Sequence, residues 1–223
     1  MKITTISMVL GIVSAVMFSG CGRGTSQSIT VAGSTAFQPF AEKLGEQFMA
    51  RRSGVNITVQ GGGSALGIQS ARSGAAQVGM ADLVELPPEA KELNGVVVAR
   101  DGIAMIVNPV NPVTNLMPEQ IRGIFSGTLQ NWKEVGGADQ PIRVVSREAG
   151  SGTRSSFEQI MGGIRLLQDA IIQDSNGTIR ETVANDRSAI GYLSHGLLNE
   201  KVKAVPVDGI SCVEIEITSG RYK

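Results

Sequence analysis

Residues 29–36, ITVAGSTA, decide the fold class that the sequence predicts. The apolar run ITVA is typical of a β-strand, and Gly33, Ser34 and Thr35 predict a turn directly after it. Helical spacing of large apolar residues predicts a helix next, with one face formed by Phe40, Leu44 and Phe48. The stretch therefore predicts a strand, a polar turn and a helix in immediate succession.

The same order of elements repeats further along the chain. Residues 55–59 (VNITV) predict a second strand, and the glycine loop 61–63 places Ser64 as the N-cap of a second helix. Residues 77–81 predict a short buried strand that ends at Asp82. Strands that alternate with helices in this way indicate an α/β layer with parallel strands.

The second half of the chain predicts a further lobe. Residues 96–107 are apolar apart from Arg100 and Asp101, and we interpret them as a strand leading into a crossing to this lobe; residues 142–146 predict another strand. Residues 147–154 (REAGSGTR) form a second glycine loop, with a helix expected after it. Residues 202–207 predict a strand that returns to the first lobe.

Composition excludes several classes of function. The chain has 223 residues, no formal net charge and a pI of about 6.6, and no run of Lys or Arg, which argues against nucleic-acid binding. Two Cys and one His provide no spacing typical of a metal site, and no cofactor motif is present. We expect Cys212 to be a small buried hydrophobic residue.

The N-terminal residues differ from the rest of the chain. Lys2 is followed by an apolar stretch, 6–18, that is too short to span a bilayer, and small residues precede Cys21. The pattern predicts a secretory signal, and it resembles the lipobox of bacterial lipoproteins, which implies a palmitate-type lipid anchor at Cys21. The alternative is an ordinary signal peptide with an incidental Cys. Residues 22–28 are expected to be a polar tether.

Three turns share a design that suits an anion. A helix N-terminus offers unpaired N–H groups and a partial positive charge, glycine allows close approach, and a hydroxyl adds a donor. One such turn is usually only a helix cap, but strand ends in an α/β lobe converge on one crevice. The turns in question are residues 33–36, 63–65 and 150–153.

Two charged residues sharpen this hypothesis. Arg147 lies four residues before Ser151, where its guanidinium could pair with a tetrahedral oxyanion, although a surface arginine is the alternative. Asp82 ends a buried strand, where a capping role is the alternative. A carboxylate beside an anion is useful if the anion carries a proton, as monohydrogen phosphate does and sulfate does not.

Taken in order, several segments resemble the phosphate-binding proteins of high-affinity phosphate ABC importers. The segments are residues 32–39 (AGSTAFQP), 61–67 (GGGSALG), 100–109 (RDGIAMIVNP), 124–127 (IFSG) with Asn131 and Trp132, 147–154 (REAGSGTR), Asn176 with Gly177, 189–192 (AIGY) and 207–209 (VDG). The resemblance covers nearly all of the chain after the signal.

The resemblance implies a two-lobe periplasmic-binding-protein fold of type II, with phosphate between the lobes. The first lobe is expected to comprise residues 29–108 plus 202–223, and the second residues 109–201. The phosphate-binding residues that it implies are Thr35, Ala36, Ser64, Asp82, Arg147, Ser151, Gly152 and Thr153. It further implies a monomeric protein on the extracytoplasmic face of the membrane, in the periplasm where there is one, that works with an ABC permease and ATPase.

Two departures from the family pattern carry expectations of their own. Ala149 occupies a position where many relatives carry an acidic residue, so Arg147 is expected to be held differently, with Glu148 as the candidate partner. Relatives continue past the segment 219–223 through another strand and a helix. The first lobe is therefore expected to lack its last C-terminal elements, unless the sequence is a fragment.

Three other functions remain open at this point. A phosphate-ester hydrolase would need an activated nucleophile, but the chain has no G-x-S-x-G elbow and only one histidine, His195, so we expect no enzyme. Binding of another oxyanion such as sulfate or molybdate is disfavoured by Asp82. A phosphate sensor or scavenger without a transporter is compatible with the same residues.

Overall fold

The chain folds around two separate β-sheets. A computed structural model describes residues 27–222, so the expected signal peptide, its Cys21 and most of the expected tether lie outside the described residues. The strands are β1 (Gln27–Gly33), β2 (Val55–Gln60), β3 (Val78–Met80), β4 (Ile103–Val107), β5 (Arg143–Arg147), β6 (Ile171–Gln173), β7 (Ala189–Ser194) and β8 (Lys203–Val205). The α-helices are α1 (Gln38–Arg51), α2 (Ser64–Ser73), α3 (Pro118–Ser126), α4 (Gly152–Ile160), α5 (Asn176–Asn185) and α6 (Glu214–Thr218). No helix within residues 27–222 is long and apolar enough to cross a membrane.

The first sheet has the parallel arrangement that the sequence predicts. Its strand order is β2-β1-β3, and β1 pairs in parallel with both neighbours, so that Val31 lies opposite Val59 on one side and Val78 on the other. Helices α1 and α2 make the two crossovers. We call residues 27–84 the first lobe. Because all three strands run the same way, their carboxyl ends share one edge of the sheet.

Helix α1 turns its large apolar residues towards solvent. Phe40, Leu44 and Phe48 are all exposed, whereas Ala41 and Gly45 are buried. A Cβ added at Gly45 would lie 3.2 Å from Cγ2 of Ile57, so the helix packs closely against β2 through its small residues. The face identified by helical spacing therefore exists but does not form the contact with the sheet.

The second sheet has five strands in the order β6-β5-β7-β4-β8. Strand β4 is antiparallel to β7 and β8, while β5 is parallel to β6 and β7. We call residues 103–210 the second lobe, and residues 85–102 connect the two lobes. The core of the second lobe includes a cluster of three aromatic rings with centroids 4.2–5.6 Å apart, formed by Phe125, Phe157 and Tyr192.

The expected lobe boundaries differ from this arrangement at two strands. Strands β4 and β8 belong to the second sheet, although the ranges 29–108 and 202–223 assigned them to the first lobe. The physical reason is that the apolar side chains of β4 from Ala104 to Val107 are almost wholly inaccessible, which requires a central position between paired strands. The strand expected at 96–107 is also shorter, because Val96, Val97 and Val98 are exposed and have no regular structure.

Candidate anion-binding cleft

The three predicted turns meet between the two lobes. The N–H of Gly63 donates to the carbonyl of Gly33 at 3.0 Å, which joins the two turns of the first lobe. The N–H of Ala65 donates to the carbonyl of Gly150 at 3.2 Å, which joins the first lobe to the glycine loop of the second. A Cβ added at Gly63 would lie 2.6 Å from that same carbonyl oxygen, so the close approach requires glycine.

The first turn is organised by Ser34. Its buried Oγ accepts hydrogen bonds from the N–H groups of Ala36 and Phe37, each at 3.2 Å, and so closes the turn just before α1. The Ala36 N–H, which the sequence placed at the anion, therefore already has a partner. The hydroxyl of Thr35 lies at the cleft, where its Oγ1 accepts from Nη2 of Arg147 in the other lobe at 3.1 Å.

Arg147 is buried at the end of β5 rather than lying on the surface. Its Nε and Nη2 donate to Oε2 and Oε1 of Glu148, both at 2.9 Å, in a two-pronged ion pair. Nη2 also donates to the carbonyl of Asp174 at 3.2 Å. The expectation that Glu148 holds Arg147 in place of an acidic residue at position 149 is thus confirmed.

The remaining nitrogen of this guanidinium has no partner. The side chain of Arg147 is only 1% exposed, and its buried Nη1 makes no hydrogen bond among the described residues. An unpaired charged donor in a buried position costs free energy unless a ligand or water satisfies it. Among the arginines that the structure describes, Arg147 is the buried one, and its Nη1 is left without a protein partner.

Asp82 receives hydrogen bonds from both lobes. The hydroxyl of Ser64 donates to Oδ1 at 2.6 Å, and the hydroxyl of Thr153 donates to Oδ2 at 2.6 Å. The Asp82 N–H in turn donates to Oγ of Ser64 at 3.0 Å. Each carboxylate oxygen can accept a second hydrogen bond, so both remain able to accept a proton donor from a ligand.

The role expected for Ser64 as a helix cap is wrong. The N-cap of α2 is Gly63, with a φ of 88°, and Ser64 is the first residue of the helix. Its hydroxyl is occupied by Asp82 and makes no capping hydrogen bond. The hydrogen bond from Ser64 instead fixes the orientation of the Asp82 carboxylate.

The second-lobe loop approaches Asp82 through a glycine. Ser151 is the N-cap of α4, and its Oγ accepts from the N–H of Arg154 at 3.2 Å. Gly152 follows, and a Cβ added there would overlap Oγ of Ser64 and would lie 2.6 Å from Oδ1 of Asp82. The side chain of Arg154 is occupied within the second lobe, since its Nη1 donates to the carbonyl of Arg147 at 2.8 Å and its Nε pairs with Glu158.

Sequence reasoning missed one residue of this cleft. Ser156 is buried on α4, and its hydroxyl donates to the carbonyl of Asp82 at 3.1 Å and accepts from the N–H of Val84 at 3.2 Å. The available signal was its position three residues after Thr153 on a helix, which puts both hydroxyls on one face. Cys212 is buried, as expected, and His195 begins a 3-10 turn.

Two α/β lobes with a polar cleft between them define a two-lobe binding protein, and comparison with known proteins agrees. A family model described as a PBP superfamily domain matches residues 21–215. The chain is 35% identical over 201 residues to the phosphate-binding protein PstS of Bacillus subtilis, covering 88% of this chain and 67% of the relative. It is 24% identical over 210 residues to PstS of Borreliella burgdorferi, covering 89% of this chain and 74% of the relative.

Solved structures give the same result. A putative phosphate ABC transporter substrate-binding protein from Clostridium perfringens, with bound phosphate, is 39% identical with a TM-score of 0.85, covering 88% of this chain and 82% of that one. An ABC-type phosphate transport receptor from Vibrio cholerae is 36% identical with a TM-score of 0.73, covering 87% and 82%. The chain belongs to the PstS family of phosphate-binding proteins within the PBP superfamily, and its fold is the type II periplasmic-binding-protein fold that the sequence predicted.

Proposed function

We propose that this chain binds inorganic phosphate in the cleft between its lobes and delivers it to an ABC importer composed of a permease and an ATPase. The observation that carries the proposal is that the turns meeting at the cleft bring both a cation and a carboxylate, Arg147 buried and Asp82 half-buried. Arg147 offers an unpaired Nη1 donor, and Asp82 offers a carboxylate acceptor. Monohydrogen phosphate matches this combination, because it presents anionic oxygens and one O–H donor.

The binding residues in this proposal are those that the sequence implied. Thr35, Ser64 and Thr153 supply hydroxyls, Arg147 supplies the cation, and Asp82 accepts the phosphate proton. The remaining contacts are backbone N–H groups of Ala36, Ser151 and Gly152. A phosphate oxygen near Ala36 has to share or replace the hydrogen bond of its N–H to Ser34.

The charge of the cleft supports selection of a protonated anion. One cation, Arg147, is already paired with the carboxylate of Glu148, and the Asp82 carboxylate adds a further negative charge. A fully deprotonated sulfate would face Asp82 as a like charge and would leave its acceptor without a donor. We propose that the protein binds phosphate without turning it over, with Asp82 acting as an acceptor for the ligand and for the Ser64 and Thr153 hydroxyls.

Delivery follows from closure of the lobes on the ligand. Contacts from both lobes converge on the same cleft, so phosphate binding stabilises the closed arrangement, which then docks on the permease. We further propose that the protein is a monomer on the extracytoplasmic face of the membrane, exported by the N-terminal signal and anchored through a lipid on Cys21. Mass spectrometry of the membrane fraction would detect the acylated Cys21 peptide, and an unmodified Cys21 there would refute the anchor.

Calorimetric titration tests the binding proposal. Protein starting at Gly22, checked for folding by circular dichroism and freed of phosphate, is titrated with phosphate and then with sulfate. We expect one phosphate per chain and no heat from sulfate. Folded protein that binds neither anion would refute the proposal, and equal binding of both would refute the role of Asp82. In the same titration Arg147→Ala is expected to weaken binding of any tetrahedral anion.

A further inference from the structure

One face of helix α4 makes three hydrogen bonds to the first lobe. Thr153 and Ser156 are three residues apart, so both project from the same side of the helix. Thr153 donates to the carboxylate of Asp82 at 2.6 Å, while Ser156 donates to its main-chain carbonyl at 3.1 Å. The N–H of Val84 then donates to Oγ of Ser156 at 3.2 Å. A single serine thus bonds the backbone on both sides of residue 83.

We propose that Ser156 is a positioning residue that holds Asp82 in place from the opposite lobe and so slows the release of phosphate. This inference rests on the proposed function. Ser156 does not need to touch the ligand, because both of its partners are main-chain groups of the segment that carries Asp82. That segment, just beyond β3, has no regular structure of its own, so its position depends on contacts of this kind.

The contacts of Ser156 exist only when the lobes are together. Asp82 and Val84 belong to the first lobe, whereas Ser156 belongs to the second, so opening of the cleft breaks both hydrogen bonds at once. Phosphate enters an open cleft and leaves after reopening, so these bonds oppose dissociation and have no influence on encounter. The serine is itself buried, at 6% exposed, so a hydroxyl left without partners there would cost free energy.

Stopped-flow phosphate kinetics with the Ser156→Ala variant tests the inference. Loss of two hydrogen bonds is expected to raise the dissociation rate about tenfold and to leave the association rate within about twofold. The thermal midpoint of the phosphate-free variant should match that of the unaltered protein, because the bonds act between lobes. The matched control is Ser155→Ala, since Ser155 is the neighbouring serine on the same helix and is exposed.

The possible outcomes separate this inference from the function on which it rests. An unchanged dissociation rate in Ser156→Ala would overturn the inference alone. So would a slower association rate together with a lower phosphate-free midpoint, because that result indicates a general structural role for the serine. Unaltered protein that binds no phosphate would overturn the proposed function and this inference with it.

Discussion

Asp82 and Thr153 lie in different lobes, and the hydroxyl of Thr153 donates a 2.6 Å hydrogen bond to Oδ2 of Asp82. Oδ1 of the same carboxylate accepts from Ser64 in its own lobe, also at 2.6 Å. The carboxylate is therefore held between donors from the two halves of the molecule. Any ligand that donates a proton to Asp82 meets an acceptor whose orientation is already fixed by protein donors.

The Asp82→Asn variant should lose much of its discrimination between phosphate and sulfate. The amide has nearly the same shape but can turn an N–H₂ donor towards the anion, so sulfate no longer faces an unmatched carboxylate. We expect the ratio of the two dissociation constants to fall at least about tenfold, measured by calorimetry. The control is Asp139→Asn, because the side chain of Asp139 is 72% exposed. A ratio that stays unchanged in Asp82→Asn would refute proton acceptance by this residue.

The Gly152→Ala variant should prevent full closure of the lobes. The added Cβ would overlap Oγ of Ser64 and would lie 2.7 Å from the carbonyl oxygen of Asp82, and the backbone there cannot move aside cheaply. We expect phosphate affinity to fall by about a hundredfold or more, while the unfolding midpoint of the phosphate-free protein changes little. The clash acts between lobes rather than within either core, which separates the two readouts.

A second glycine provides the control for this substitution. A Cβ added at Gly177 in α5 would meet only Oγ of Ser175, at 3.7 Å, which is an ordinary van der Waals contact. Gly177→Ala is therefore expected to bind phosphate normally. Tight phosphate binding by Gly152→Ala would mean that the bound form is more open than the present arrangement.

Local signals in the sequence were sufficient to locate the three turns but not to assign the strands to their sheets. The turns at 33–36, 63–65 and 150–153 were recognisable because strand, glycine turn and helix follow one another within a few residues, and parallel topology then brings strand ends together. Membership of β4 and β8 in the second sheet depends on pairing between segments far apart in the chain. Apolar composition predicts such a strand without naming its partner.

The sequence also did not predict the direction in which some side chains point. The spacing of Phe40, Leu44 and Phe48 correctly places them on one helix face, but Gly45 allows the opposite side to pack closely on the sheet. Ser64 resembles an N-cap by its position before a helix, yet a carboxylate eighteen residues away takes its hydroxyl. In both cases a tertiary contact overrides a local preference.

The buried thiol of Cys212 should make stability depend on alkaline pH. Burial raises the pKa of Cys212 from 9.0 to about 11, because the thiolate is poorly solvated there. A raised pKa favours the folded state while the thiol is protonated, so this stability is fully present below pH 9 and is lost as pH rises through 11. Urea unfolding at several pH values should show a smaller loss over this range for Cys212→Ala than for the unaltered protein.

The comparison reports the thiol together with Tyr222, whose pKa is raised by burial and by the neighbouring Cys212. Buried Tyr192, whose pKa burial raises to about 12, contributes a loss in the same direction, but it is present in both proteins and cancels in the comparison. Ser211→Ala changes the exposed neighbour of Cys212 and should keep the full pH dependence. Equal pH dependence of the Cys212→Ala variant and the unaltered protein would contradict a raised thiol pKa.

The Glu148→Ala variant should destabilise the protein through Arg147. Removing the carboxylate leaves the buried guanidinium, whose side chain is 1% exposed, without its two-pronged counter-ion. Breaking a fully buried pair in this way costs about 3–5 kcal/mol, and we expect about 2 kcal/mol here because Glu148 is 31% exposed. Urea unfolding of phosphate-free protein measures the difference. The control is Glu119→Ala, which breaks an exposed pair with Arg122 and should cost at most about 1 kcal/mol. Equal losses from the two substitutions would mean that burial of Arg147 does not depend on Glu148.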